Sequence, residues 1–319
     1  HQSSSEAIMI ADENDIIIQI NPAFATMTGY SMIDVIGKST AFLRSGRHDD
    51  DFYQEIRRCL FNDDQWQGEI WDKHKDHSIH AKWVNVSVIR HEDRRIRYYV
   101  SQFTDITEKK KKDELLLFQA NYDPLTELPN RNLFKQRLED KIQEAEQNGS
   151  VFSLLFLDLD HFKDINDTLG HDRGDDLLKQ VAGRVKKCVT ENDTVARLGG
   201  DEFAIILPSI EHRKHAEDIA QKIIHALNQP FNFDDAKTDY YISTSIGVVF
   251  YPRDGLQMKN LMKHADQAMY AAKREGRNRF SYFTVTMQRE AHEKMILIRD
   301  LRRTIKKNEL QVYYQPIIH

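Results

Sequence analysis

The sequence predicts two consecutive mixed units, an α+β unit and then an α/β unit, joined by a helix. Three observations carry this reading. The chain has 319 residues, about two domains on the ordinary size of a folding unit. Helical apolar spacing gives way to period-two alternation between residues 66 and 103. From residue 122 onward, apolar strand-like runs alternate with amphipathic helical stretches across short loops.

Taken in order, "EAIMIADENDIIIQI" (6–20) gives two short strands around an Asp-Glu-Asn-Asp turn. "NPAFATMTGYS" is a short helix around Phe24 and Met27, broken by Gly29. "DDDFYQEIRRCLFNDD" has helical spacing at Phe52, Ile56 and Leu60. "AKWVNVSVI" alternates at Trp83, and "RIRYYVSQFTDI" alternates at Ile96, Tyr98 and Val100. "TEKKKKDELLLFQANYD" is rich in good helix formers, with Ile106, Leu115, Leu116 and Phe118 as a short partner-facing seam. In the second unit, "RNLFKQRLEDKIQEAEQ" is an amphipathic helix and "VFSLLFLDL" a strand of the buried type. "GDDLLKQVAGRVKKCV" places Leu177, Leu178, Val181, Val185 and Cys188 on one helix face. "TVARL" and "FAIIL" form a hairpin around two glycines. A helix ("HAEDIAQKIIHAL"), a strand ("YISTSIGVVFY") and a last helix ("MKNLMKHADQAMYAAKREG") follow, giving a two-layer domain.

A net charge of −5 argues against nucleic acid or an anionic membrane surface as the main partner. Cys59 and Cys188 lie far apart and outside any metal-type spacing, which fits a reducing, cytoplasmic compartment. No apolar run approaches the ~18 residues of a membrane span. The chain starts at His1 and stops inside the strand-like "VYYQPIIH", so it reads as part of a longer protein. Any membrane association, including an inner-membrane anchor, is expected only through the remainder of that protein.

The chemistry concentrates in a few acids. Asp158 and Asp160 end the apolar strand, and Asp201 and Glu202 sit in the glycine turn of the hairpin. If those strands are neighbours, the carboxylates converge. Two such charges ~4 Å apart repel by about 4 kcal/mol at an effective dielectric near 20. A divalent cation turns that repulsion into attraction, and an all-oxygen set suits Mg²⁺, or Mn²⁺. A solvated hairpin turn is the alternative. His161 is adjacent but is expected to point to the opposite strand face. Mg²⁺ held by few carboxylates usually shares a phosphate. Lys163, Lys273 and Arg277 offer phosphate partners, the last two four residues apart and so on one helix face. Basic residues near a helix C-terminus are also favoured by the helix dipole alone.

"INPAF", "TGYS", "GEIW" and "FTDITEKK" resemble a PAS sensor domain over residues 3–107. The resemblance implies an antiparallel sheet with flanking helices and leaves the ligand open among haem, flavin, small acids or none. In light-sensing relatives the flavin-reactive Cys lies in a segment equivalent to "GKSTAFL". Thr40 stands there, so no flavin–cysteine photoadduct is expected. Trp66 is read as a core residue.

"DPLTELPNR", "FLDLDHFKDINDTLGHDRGDDLL", "ARLGGDEFAI", "STSIGV" and "ADQAMYAAKREGRNR" together resemble the GGDEF diguanylate cyclases of bacterial signalling. The resemblance spans about residues 120–284, with every motif in order. It implies a palm-like fold with a central sheet flanked by helices, and condensation of two GTP into cyclic di-GMP with release of two pyrophosphates, at a homodimer interface. It makes Asp158, Asp201 and the Leu159 backbone metal ligands, with Glu202 a further acidic contributor. Phe162 and Lys163 lie along the phosphates, Asn166 and Asp175 read guanine, and Lys273 and Arg277 hold the triphosphate. Asp123 and Arg131 brace the linker, and the role of Asp160 stays open. The implied division is a PAS domain (3–107), a helical linker (108–121), a cyclase domain (122–284) and, over 285–319, a linker helix with the truncated start of an EAL phosphodiesterase domain. The alternative function is a GTP-binding module that regulates such a downstream domain. Many GGDEF domains carry an inhibitory Arg-x-x-Asp before the glycine turn. Here the window reads "TEND", with Asp193 in place but Thr190 where Arg is expected, so weak product feedback is expected.

Overall fold

The computed structural model describes residues 6–208, 213–233, 239–307 and 313. Two compact units divide the chain at residues 117 and 118.

The first unit comprises β1 (Ala7–Asp12), β2 (Ile17–Ile20), α1 (Pro22–Thr28), α2 (Met32–Val35), a 3₁₀ turn (Thr40–Leu43), α3 (Asp50–Asp63), β3 (Gln65–Lys73), β4 (Ile79–Arg90) and β5 (Ile96–Asp105). The strands form one antiparallel sheet in the order β2-β1-β5-β4-β3. Local chemistry sets the helix limits. The Asn21 side chain accepts from the Phe24 amide, Pro22 opens α1, and Gly29 ends it at φ 74°. Asp49 caps α3 through the Phe52 amide. Met9, Phe24, Val84 and Phe103 build the core, and Trp66 is partly buried against it.

Alternation in β5 faces the other way from the sequence expectation. Tyr99, Ser101 and Phe103 line the interior cavity, whereas Tyr98 and Val100 belong to the other face, and a register shift opposite Ile89 and Arg90 separates Ile96 from both. Adjacent Tyr98 and Tyr99 make the apolar pattern ambiguous by one residue, and one residue inverts the face. Lys82 on β4 is fully buried, its ammonium 3.4 Å from Asp72 and over the Phe103 ring. Beside it, burial, with the charges of Lys82 and His80, pulls His74 down to about 4, so this imidazole is neutral at physiological pH. Asp105 closes β5 and accepts from the Thr107 amide at 2.7 Å, capping α4 (Thr107–Asn121). On α4, Leu115, Leu116, Leu117 and Phe118 are exposed.

The second unit runs through α5 (Arg131–Asn148), β6 (Phe152–Asp160), α6 (Phe162–Leu169), α7 (His171–Lys186), β7 (Thr194–Gly199), β8 (Glu202–Leu207), α8 (Arg213–Leu227), β9 (Phe231–Asn232), β10 (Asp239–Tyr240), β11 (Ser243–Tyr251), α9 (Met258–Arg274), β12 (Arg279–Tyr282) and α10 (Val285–Lys306). The main sheet has the order β12-β11-β6-β8-β7, antiparallel except for β11 with β12. Apart from Tyr313, the strand expected in "VYYQPIIH" (312–319) lies outside the described residues.

The element alternation gave two layers, whereas the resemblance implied a central sheet flanked by helices; helices cover both faces of this sheet. Leu155, Leu157 and Leu159 of β6 pack into a core with α7 and α8, while Leu154 and Phe156 pack into another with α5 and α9. The reason is in β6 itself, buried at every position, which requires cover on both sides. Gly247 of β11 sets the spacing on the α9 side. A Cβ there would lie 2.0 Å from the Ala265 carbonyl oxygen and 2.4 Å from the Met269 nitrogen. Backbone cannot yield as a side-chain tip can. Gly247→Ala is therefore expected to destabilise this unit by about 2 kcal/mol or more, read as a lower urea midpoint. An unchanged midpoint would show that α9 does not ride this close to the sheet.

Candidate active site

The fully buried β6 delivers its two terminal carboxylates to one end of the sheet. Asp158 pairs in register with Glu202 of β8 on one side and with Ser245 of β11 on the other. The Leu159 amide donates to the Asp201 carbonyl at 3.4 Å, so the glycine turn folds over the end of β6. The expected neighbourhood of Asp158, Leu159, Asp201 and Glu202 is thus formed. Gly199 and Gly200 carry φ of 141° and 55°, left-handed backbone that side-chain-bearing residues avoid.

The acids do not all converge on one point. Asp160 is 3% exposed and accepts from Ser243 Oγ and Ser245 Oγ at 2.7 Å and from the Asn278 amide at 3.2 Å. These three donors let Asp160 tie β6 to β11 and to the turn after α9. Asp158 meets Lys273 of α9, with Nζ 2.6 Å from Oδ1. Glu202 meets Arg131 at 3.2 Å. Burial, with the charges of Asp201 and Asp160, pushes Asp158 up to about 6 against the downward pull of Lys273. The short ion pair alone would lower it; burial outweighs the pair. Such a carboxylate, with one ammonium and two like charges beside it, has the donor chemistry of a site for a hard cation.

Several expected positions differ in detail. Phe162 was expected along the phosphates, yet its side chain is buried in the core with Leu177 and Phe203. What it can present to a ligand is its backbone, at the start of α6. Lys163 beside it is exposed. Lys273 and Arg277 do not share a helix face. The helix stops at Arg274, Gly276 turns at φ 115°, and the Arg277 amide bonds back to the Ala272 carbonyl. Arg277 therefore sits in the following turn, at φ 62°, with an exposed side chain. His161 is left-handed at φ 61° and pairs with Asp164, away from the acids. It escapes the site through this turn, not through strand alternation.

Asn166 lies against α7 at Gly174, where a Cβ would be 1.8 Å from its Oδ1. The missing side chain at Gly174 makes a notch that seats Asn166 one residue from the exposed Asp175. Asp123 and Arg131 were expected to brace the linker; their side chains brace the hairpin. Asp123 accepts from Arg197 at 3.0 and 3.2 Å, and Arg197 donates onward to the Gly200 carbonyl at 2.8 Å. Arg131 donates to the Leu198 carbonyl at 3.0 Å. Sequence reasoning gave Arg197, Gly174, Ser243 and Ser245 no role. Glycine one position before Asp175, the residue expected to read guanine, was the one signal that could have been used.

In the first unit, a cavity of about 370 Å³ lies between the sheet and α3, lined by Met9, Leu43, Tyr53, Val84 and Phe103 with Arg44 at its polar end. Thr40 lines it and donates to Asp15 at 2.7 Å, while Cys59 is not among its lining residues.

The Asp158 carboxyl gives a pH signature. Its folded value lies above its unfolded value of 3.8, so its stabilising contribution is complete below about pH 4 and is lost as pH rises through about 6. Asp158→Asn cannot titrate. With divalent ions chelated, wild type is expected to lose stability relative to this variant between pH 4 and 7 in denaturant titrations. Parallel profiles would contradict the burial argument.

The model of the GGDEF diguanylate cyclase domain matches residues 120–279, and that of a PAS domain matches residues 5–108. The bifunctional diguanylate cyclase/cyclic di-GMP phosphodiesterase MucR of Pseudomonas aeruginosa is 42% identical over 201 residues, covering 63% of this chain and 29% of that protein. The cyclic di-GMP phosphodiesterase PdeR of Escherichia coli is 32% identical over 313 residues, 98% of this chain and 47% of that protein. The chain thus spans less than half the length of either relative. Among solved structures, the GGDEF domain of TpbB (YfiN) from Pseudomonas aeruginosa aligns with TM-score 0.52 at 37% identity, covering 54% of this chain and 99% of that one. The coiled coil and GGDEF domain of DgcB from Caulobacter crescentus, in complex with c-di-GMP, aligns with TM-score 0.51 at 32% identity, covering 56% and 93%. Among the described residues, no helix is long and apolar enough to cross a membrane. The chain belongs to the GGDEF diguanylate cyclase domain family, and a PAS domain precedes that domain.

Proposed function

We propose that the second unit is a working diguanylate cyclase, under control of the PAS unit, that condenses two GTP into cyclic di-GMP and two pyrophosphates. The observation that carries this is the intact acidic turn, Asp201–Glu202, folded over the end of β6 beside the buried Asp158. Asp158, Asp201 and the Leu159 carbonyl would hold Mg²⁺ or Mn²⁺. Bound there, the cation would acidify the attacking 3′-hydroxyl and offset charge on the α-phosphoryl group. Lys273 would exchange Asp158 for the triphosphate, with Lys163, Arg277 and the Phe162 backbone as further phosphate contacts. Asp175 accepts from guanine N–H donors that adenine lacks, with Asn166 seated next to it. In each half-reaction the 3′-oxygen of one GTP bonds to the α-phosphorus of the other and pyrophosphate leaves. Two copies must face each other for this, so activity requires a homodimer.

The second reading is a GTP-binding module that regulates a downstream EAL domain. It is favoured by the similarity over nearly the full chain to PdeR, a phosphodiesterase by name. Incubation with GTP and Mg²⁺ separates the two. The cyclase reading expects cyclic di-GMP, reduced at least a hundredfold by Asp201→Ala with an unchanged melting curve. GTP binding without product would favour the regulatory reading.

Product feedback through the Arg-x-x-Asp position is expected to be weak. The structure occupies Asp193 locally, since its Oδ2 accepts from the Thr190 amide at 2.7 Å and from Thr190 Oγ1 at 2.8 Å. A hydroxyl cannot copy the charged fork of an Arg. Thr190→Arg is expected to strengthen cyclic di-GMP inhibition of the initial rate by tenfold or more. Micromolar inhibition of the unmodified protein, abolished by Asp193→Ala, would show that another residue replaces the Arg.

A further inference from the structure

We propose that His74, His80 and Asp105 of the first unit form a binding site for a divalent cation of the Zn²⁺ class, at the root of α4. The neighbouring strands β3, β4 and β5 bring the three together. His74 directly follows β3, His80 lies on β4, and Asp105 ends β5. One ligand atom from each lies within 4.8 Å of the other two, the sole such His/Cys/Asp/Glu group among the described residues. The separation in sequence hides this. Only the "HKDHSIH" run hints at it, and its middle histidine, His77, is exposed in a left-handed turn.

A second observation points to a ligand. His74 is 6% exposed, and its Nε2 is buried with no hydrogen-bond partner. Buried polar atoms are nearly always partnered, so an orphaned ring nitrogen stacked on a second imidazole needs a reason. The rings of His74 and His80 lie 3.6 Å apart at 9°. His80 is fixed on both sides, with Nδ1 3.0 Å from Asp105 Oδ2 and Nε2 2.9 Å from Ser78 Oγ.

The donor set names the class of ion. Two imidazole nitrogens and one carboxylate suit Zn²⁺ and its borderline neighbours Co²⁺, Ni²⁺ and Cu²⁺, not the oxygen-seeking Mg²⁺ or Ca²⁺. The charge is compatible. Lys82 is matched by Asp72, and Asp105 remains as the counter-charge for an ion. Binding requires the two rings to open from their stack until both lone pairs meet at one point. The ion takes the place of the hydrogen shared by His80 Nδ1 and Asp105 Oδ2. That hydrogen moves to Nε2, where Ser78 Oγ accepts it, so no net proton need leave. Asp105 Oδ1 keeps its bond from the Thr107 amide. Occupancy would then fix the residue that caps α4, the helix leading toward the GGDEF domain.

The test uses the full chain stripped with a chelator, titrated with Co²⁺ and followed by visible absorption, with Zn²⁺ competition by calorimetry. One equivalent with an imidazole-type d–d spectrum is expected, displaced by Zn²⁺. His74→Gln and His80→Gln should each weaken it at least tenfold, while Asp201→Ala leaves it intact, which separates it from the acids of the GGDEF domain. Far-UV circular dichroism checks folding, and the part-exposed His80 decides the matter if the His74 variant unfolds. No uptake of either metal, or uptake that survives both histidine variants, would overturn the proposal and leave the pair a neutral structural stack.

Discussion

The buried carboxylate of Asp158 is the constraint from which the second unit's organisation follows. A strand apolar enough to be covered on both faces ends in two acids, and each is answered differently. Asp160 accepts from three neutral donors, two serine hydroxyls and a backbone amide. Asp158 is met by one ammonium, Lys273, at 2.6 Å. That ammonium can reach it only because α9 lies against the sheet at Gly247, where no side chain intervenes. Close packing on one face thus permits a charge at the end of the strand. An ion pair buried to this degree is weak support for stability, since desolvation offsets much of the attraction. On the proposed cyclase reading the pair is a site prepared for exchange, where a cation and a phosphate together would replace one lysine.

The glycine turn is held from outside as well as from β6. Asp123 grips Arg197, Arg197 grips the Gly200 carbonyl, and Arg131 spans Leu198 and Glu202. The segment that follows α4 therefore bears directly on the position of Asp201 and Glu202. Local fixation suits a turn whose glycines would otherwise leave it loose.

Much of this was legible in the sequence. The nine buried residues of β6, the hairpin with its Gly-Gly turn and the amphipathic helices carried periodicities that tertiary packing had no reason to override. Cover on both faces was implied by the resemblance and by the all-buried β6, but the identity of the covering helices was not, because such a strand does not name them. The i,i+4 pairing of Lys273 and Arg277 failed because Gly276 stops the helix first, and a glycine in that position is the signal for such a stop. For Phe162 the motif fixes a position and not the direction of its side chain, which the structure buries in the core. In the first unit, β5 was read one residue out of phase where two tyrosines adjoin. In the His74–His80–Asp105 cluster only the "HKDHSIH" run is visible locally, and Asp105 joins it through the pairing of β4 with β5.

The most direct test is a crystal structure of the chain with Mg²⁺ and a GTP analogue blocked at the α-phosphate. The account expects electron density for a cation touching Asp158 and Asp201, with the Lys273 ammonium moved from Asp158 to the triphosphate. Nucleotide bound elsewhere, with Lys273 still paired to Asp158, would contradict it.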